Sequence, residues 1–507
     1  MKKSTHLSVW RPLSVCVVAL LLAACGQQDQ PAPAPEVDSG AAVKPAPKVS
    51  ITTASDEARE LYLQGRALFD DLHGTEANEV FAQAVQADDG FAMGYFMLAQ
   101  TAQSAAGFFD ATGKADEFSE GVSEGEKLYI RALVATSKND QAGQLDALTQ
   151  LIALYPQDER THTQLGNYLS GQQDFAGAIE HYGHAIAINP NFASAYNSLG
   201  YAYRSIEDFD GAKGAFAQYV ELIPGEANPY DSYAELLMEM GNYDESIENY
   251  RKALDADPSF MASYAGISVN QSLKGEAELA QATAEQMLAA AVNFAQRQGA
   301  MFRSVTSHLF AGNSDAAMEV CATMLAEAEA EGDRATLGGV SEYMGDIMLV
   351  AGEAAKAEEY FNAALDHRLL AEFNDANQAQ ATRTHLFKTA IAAMIGGDQE
   401  SAALRTAEYN SAAELDGTAF ERRRIHELTA YLAMNNEENE SAAGYFEQAN
   451  QFDPVVLYWS AVIHAELGNT EQAIDLATRA ANRNTLSGNL PFFRGDAQEL
   501  LAKLTAE

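Results

Sequence analysis

Three histidines lie near one another in the chain: His162 and the pair His181-x-x-His184. Two histidines three apart fall on adjacent faces of a helix, and neutral imidazole is a good metal ligand. A metal centre needs three or four convergent ligands, and the spacing supplies two. The expectation is exposed histidines, no metal and no cofactor. Gly121-Val122-Ser123-Glu124-Gly125 has the Gly-x-Ser-x-Gly spacing of a hydrolase nucleophile. That motif works on a strand-to-helix turn. No strand signal precedes it. Ser123 and Glu126 instead form the Ser-x-x-Glu capping box of a helix over 127–136. Gly107…Gly113-Lys114 approaches a phosphate loop, but five residues separate the glycines and Ala115 stands where Ser or Thr would bind magnesium. His426-Glu427 lacks the second histidine of the metalloprotease helix. With 72 acidic residues, paired carboxylates mark solvated helix faces rather than acid–base pairs. No convergent acid, base and nucleophile emerges, so the chain is expected not to be an enzyme.

The composition agrees. Of 507 residues, 47% are hydrophobic and 21% charged, which excludes a disordered tail and a polytopic membrane protein. The net charge is −40. Phosphate-backbone binding needs clustered Lys and Arg, so nucleic acid is not an expected partner. An anionic bilayer would repel such a surface.

The chain opens with an address. Lys2, Lys3 and Arg11 precede an apolar run from Leu13 to Ala24 that is too short to span a bilayer. It ends Leu22-Ala23-Ala24-Cys25, which resembles the lipobox of bacterial lipoproteins. The resemblance implies a signal peptide over 1–24, lipidation of Cys25 and, since Gly26 rather than Asp follows, the outer membrane with the body facing the periplasm. Two or more acyl chains would anchor it stably. Residues 25–54, with five Pro, read as an extended tether. Cys16 would leave with the leader and Cys25 would carry lipid. Cys321 is then the remaining thiol, on an apolar helical pattern that predicts burial.

Elements that could position a site come from a repeat. Pro156, Pro190, Pro224 and Pro258 are each 34 residues apart. In the same register fall Gly166, Gly200 and Ala234; Ala178, Ala212 and Ser246; Tyr182, Phe216 and Tyr250. Small residues let two helices approach, aromatics fill the gap, and the proline stops the second helix. Weaker copies read Gly65, Ala77, Phe81 and Ala84, then Gly345, Ala357, Phe361 and Ala364, then Ala442, Phe446, Ala449 and Pro454. No sustained two-residue alternation predicts a strand.

This pattern resembles the tetratricopeptide repeat family from about 159 to 260. The resemblance implies an all-α, right-handed solenoid of helix-turn-helix repeats. The array is expected over 55–290, with an insertion or loop carrying a short helix at 103–124. Degenerate helical repeats follow over 291–507, capped by a helix at about 492–503. The family's concave face is lined by the first helix of each pair. Carried over by register, that face holds Asn167, Asn197, Tyr201, Arg204, Asp231 and Glu235, a polar groove suited to an extended peptide or a helix of another cell-envelope protein. The expected role is a scaffold. Its rivals are a small-ligand sensor in the weaker repeats or an enzyme with a site in 290–440.

Overall fold

The computed structural model describes residues 48–71, 73–102, 104–138, 140–371 and 375–506. Residues 1–47, including the leader, Cys25 and most of the proline-rich segment, lie outside them. The described residues hold 25 α-helices and no strand. None is long and apolar enough to cross a membrane.

The helices come in antiparallel pairs. They are α1 (Asp56–Asp70) and α2 (Gly74–Ala87), α3 (Ala92–Gln100) and α4 (Ala105–Glu117), α5 (Glu124–Ser137) and α6 (Gln141–Leu154), α7 (Glu159–Gly171) and α8 (Phe175–Ile188), α9 (Ala193–Ser205) and α10 (Phe209–Leu222), α11 (Ala227–Glu239) and α12 (Tyr243–Ala256). There follow α13 (Met261–Leu273) and α14 (Ala277–Ala290), α15 (Phe294–Phe310) and α16 (Ser314–Glu331), α17 (Arg334–Val350) and α18 (Ala354–Leu370), α19 (Asp375–Gly396) and α20 (Gln399–Asp416), α21 (Ala419–Asn435) and α22 (Asn439–Phe446), α23 (Pro454–Glu466) and α24 (Thr470–Ala481), and the last helix α25 (Leu490–Thr505).

Local chemistry explains the pairing. Pro156, Pro190, Pro224 and Pro258 each stand two residues past the end of α6, α8, α10 and α12. Asp140, Asp174 and Asp208 open α6, α8 and α10, each accepting the amide of a glycine three residues on. These caps satisfy orphan donors and place negative charge at the positive end of the helix dipole. Part of the acidic excess therefore serves helix starts. Between the helices, Gly166 faces Tyr182 and Gly200 faces Phe216. An added Cβ would come within 2.6 Å of either ring, so the aromatic fixes how closely the helices approach. The same glycine–aromatic contact recurs at Gly65 with Phe81 and at Gly345 with Phe361. The weaker copies are thus genuine repeats of the same hairpin.

Three sequence expectations change. Residues 103–124, expected as an insertion or a loop with a short helix, form the 13-residue helix α4 packed against α3, followed by one 3-10 turn. Its buried residues Ala111, Thr112 and Ala115 are small and carry too little hydrophobic signal to announce it. The last residues of the expected tether are bound to the body. Lys48 pairs with Glu159 at 2.6 Å, and the Val49 and Thr52 amides donate to Asp158 and Glu126. Glu126 also closes the Ser123 capping box, so one buried carboxylate holds a helix start and the incoming segment together. The capping helix is longer than expected, beginning at Leu490.

Contacts divide the chain into two compact units, one ending at Tyr233 and the other running from Ala234 to Glu507. The expected boundary at 290 marks where consensus residues thin, whereas the division after Tyr233 marks packing. In the C-terminal unit, α15, α17, α19 and α21 begin 40 to 44 residues apart. Their longer helices remove the 34-residue period without changing the hairpin. Cys321 lies in this unit's core, 1% exposed, and burial pushes its thiol up to about 12.

Candidate binding faces

In the N-terminal unit the expected groove residues lie on first helices of successive pairs. Asn167 on α7 is exposed and accepts from the Tyr182 hydroxyl at 2.8 Å. Asn197 on α9 is half-buried, and its amide oxygen has no hydrogen-bond partner. Tyr201 and Arg204 form one feature, with the guanidinium 4.6 Å from the ring centroid. The Tyr201 ring also meets Phe216 edge-on at 5.1 Å, and its hydroxyl donates to Ser232 at 3.2 Å. Tyr201 was placed off the core by its register. The structure makes it a spacer between helices. Asp231 is buried on α11. Glu235, farther along α11, belongs to the C-terminal unit and is half-buried.

The histidines of α7 and α8 converge, which their sequence spacing did not show. The His162 ring centroid lies 5.4 Å from His181 and 5.2 Å from His184. His162 is buried. Its Nε2 faces the Pro156 carbonyl at 3.2 Å, and its Nδ1 faces His181 Nδ1 at 3.2 Å. A carbonyl accepts only, so His162 Nε2 carries its proton and His181 Nδ1 donates to His162 Nδ1. The lone pair that could ligate a metal is thereby engaged by a neighbouring imidazole, and His184 turns toward Glu180. Among the described residues no three ligating side chains converge to hold a metal ion. Burial and the neighbouring rings press the His162 and His181 pKa values down.

The C-terminal unit presents a different face, which the sequence reading missed. The segment joining α24 to α25 runs across α11, α15 and α17 of the same unit. Arg303 donates to the Leu486 carbonyl at 3.0 Å, and the Tyr343 hydroxyl donates to the Gly488 carbonyl. Asn484 is 5% exposed and fully engaged. Its oxygen accepts from Tyr243 and Arg494, and its nitrogen donates to the Glu239 carbonyl. Arg483 pairs with Glu239 at 3.3 Å. Gly488 sits against Phe302, where an added Cβ would come within 2.5 Å of the ring. This unit thus grips an irregular stretch of polypeptide through two of its carbonyls and the Asn484 side chain. Only the glycine hinted at it. Contacts between residues about 150 to 250 positions apart leave no periodic trace.

Deeper in the same unit, Lys388 is fully buried with its ammonium 2.6 and 2.8 Å from the two oxygens of Asp346 and 3.8 Å from Glu342. Arg368 holds the far side of Glu342. Burial pushes Asp346 up to about 7 while Lys388 pulls it down. Such a cluster in the 290–440 stretch could suggest catalysis, but its members are 2% exposed or less except Arg368. A depression along α14 and α15 contains Glu278, Glu285, Ser307 and His308. The Ser307 hydroxyl there is buried with no hydrogen-bond partner.

Comparison with known proteins agrees with the geometry. Two family patterns match: TPR repeat over residues 166–205, and Tetratricopeptide repeat over 193–226 and 227–260. No curated protein matches the chain. Similar solved structures include a tetratricopeptide repeat protein from Parabacteroides merdae, 14% identical over 52% of this chain and 99% of that one, with a TM-score of 0.39. The MamA protein is 23% identical over 33% of this chain and 91% of its own, with a TM-score of 0.30. YrrB is 15% identical over 36% of this chain and 92% of its own, with a TM-score of 0.27. The chain carries tetratricopeptide repeats and folds as an all-α solenoid of the kind these repeats build.

Proposed function

We propose that the chain is a non-enzymatic interaction scaffold of the bacterial envelope. In this reading Cys25 carries lipid in the outer membrane, the repeats face the periplasm, and the first-helix faces hold extended segments of other envelope proteins. The observation that carries the binding half is the irregular segment 484–488 gripped through its carbonyls by Arg303 and Tyr343. That is the contact a peptide-binding face must make, and main-chain capture is a recurring mode of peptide recognition. In the N-terminal unit the corresponding anchor is the stacked pair Tyr201 and Arg204. Aromatic and arginine side chains are enriched among residues that dominate binding energy. A Tyr201→Ala, Arg204→Ala double variant is expected to bind a crosslink-identified partner at least roughly tenfold more weakly, a loss of about 1.4 kcal/mol. Full affinity in that variant would remove this face from the proposal. The anchor is tested separately. A Cys25→Ser variant should remain an unacylated precursor. If it is still acylated and still found in outer-membrane vesicles, the lipid reading is wrong.

A further inference from the structure

We propose that the segment 482–489 is an internal ligand. On this inference, the α11–α15–α17 face is a peptide site for short irregular segments carrying Asn followed four residues later by Gly. This rests on the proposed role of the repeats as peptide-binding scaffolds and names the peptide class.

The pattern comes from what the face demands of its present occupant. Tyr243, Arg494 and the Glu239 carbonyl together present two donors and one acceptor to the Asn484 amide. That complementarity selects Asn, since Asp would set a carboxylate against the Glu239 carbonyl. Four residues on, the chain passes between Phe302 and Tyr343, whose rings meet edge-on at 4.9 Å. A Cβ at position 488 would lie 2.5 Å from Phe302 and 3.6 Å from Tyr343, so glycine is the residue that fits. Between them Arg303 reads only a carbonyl, leaving the side chains of 485 to 487 unspecified. Two of those three, Thr485 and Leu486, are half-buried and Ser487 is exposed, so the middle of the segment is held by its main chain and not by side-chain pockets. The segment has no regular secondary structure between α24 and α25, and it is held chiefly by hydrogen bonds, each worth only about 1 kcal/mol net. A competing chain that makes the same bonds can replace it.

The test uses the full chain and a fluorescent peptide of residues 482–491. Gly488→Leu should drive the resident segment out by collision with Phe302. That variant should bind the peptide at least roughly tenfold more tightly than the wild type, whose face is occupied. Adding Tyr343→Phe, which deletes only the hydroxyl on the Gly488 carbonyl, should weaken binding roughly fivefold, the factor for about 1 kcal/mol. Asn484→Ala is the second opening variant, adding no bulk, and should give intermediate uptake. A peptide with Ala in place of the Gly488 equivalent should bind neither variant. If the opened variants keep native helical circular dichroism yet bind no better than wild type, the segment is a fixed strut and the inference fails. If both variants lose their helical signal, the segment is part of the fold, and the inference fails equally. Partner capture by Tyr201 and Arg204 is measured on the other unit and is unaffected by either result.

Discussion

Lys388→Met tests whether the C-terminal unit is organised around its buried charge cluster. Methionine keeps the length and most of the volume of lysine but removes the ammonium. Asp346, 1% exposed, then loses the cation 2.6 Å away. Glu342 keeps Arg368. Breaking a buried pair from one side typically costs about 3–5 kcal/mol, because the remaining charge has no compensation. The proton offers partial relief. Asp346 already stands raised to about 7, and without Lys388 it rises further and enters the folded state neutral. Because its folded pKa lies above its unfolded value, its contribution is fully present at low pH and is lost as pH rises through about 7. The defect should therefore be larger at pH 8 than at pH 6. Trp459, 3% exposed and in the same core as Phe387, reports this unit by fluorescence. In urea the single variant should lose about 3–5 kcal/mol at pH 8. A Lys388→Met, Asp346→Leu double variant should recover at least about 2 kcal/mol of that, since an apolar pair can replace a buried ion pair. A single-variant loss under about 1 kcal/mol, or a double variant as unstable as the single, would refute the reasoning.

Three further outcomes follow from named contacts. Ala212 is fully buried on α10, so Ala212→Leu should overpack that helix and cost about 1–3 kcal/mol; urea melts check this, and unchanged stability would contradict the register. The depressed His162 and His181 pKa values mean that the unfolded chain takes up protons first as pH falls below about 6.5. Stability of α7 and α8 should drop over that range, although Asp158, Glu180 and Asp174 oppose the shift. Hydrogen exchange in α7 and α8, corrected for intrinsic rate, should be faster at pH 5.5 than at 7.5, and His181→Gln should flatten the difference. Glu126→Gln weakens the carboxylate that holds both Ser123 and Thr52; limited proteolysis should then cut within 48–55 faster than in wild type, while equal rates would show that the segment is held by Asp158 and Glu159 alone.

Repeat architecture was legible because its causes are local. A proline two residues past each second helix, and a small residue opposite an aromatic, recur at one spacing over 159–260. The C-terminal pairs obey the same rule at Gly345 and Phe361, but helices of 17 to 22 residues stretch the spacing. Their hairpins showed in sequence while their register did not. The pairing of Tyr201 with Arg204 was legible, since the two stand three apart on one helix. The segment seated on the C-terminal unit was not, because Asn484 and Gly488 meet Tyr243 and Phe302 only after that unit is assembled. The histidine cluster escaped for a related reason. His162 and His181 lie on two helices, and their contact depends on how α7 leans on α8 rather than on any spacing within one helix.

The central claim is that first-helix faces bind partner proteins. Site-specific photocrosslinking in the native cell tests it most directly. A photoreactive residue replaces Asn167, which is exposed on α7 and stands one 34-residue repeat before Tyr201. A matched chain carries it at Gln218, exposed on α10. The account predicts a discrete protein adduct from position 167, absent from position 218 and lost on adding Tyr201→Ala and Arg204→Ala. Equal adducts from both positions, or none from 167 when the chain is abundant and folded, would contradict it.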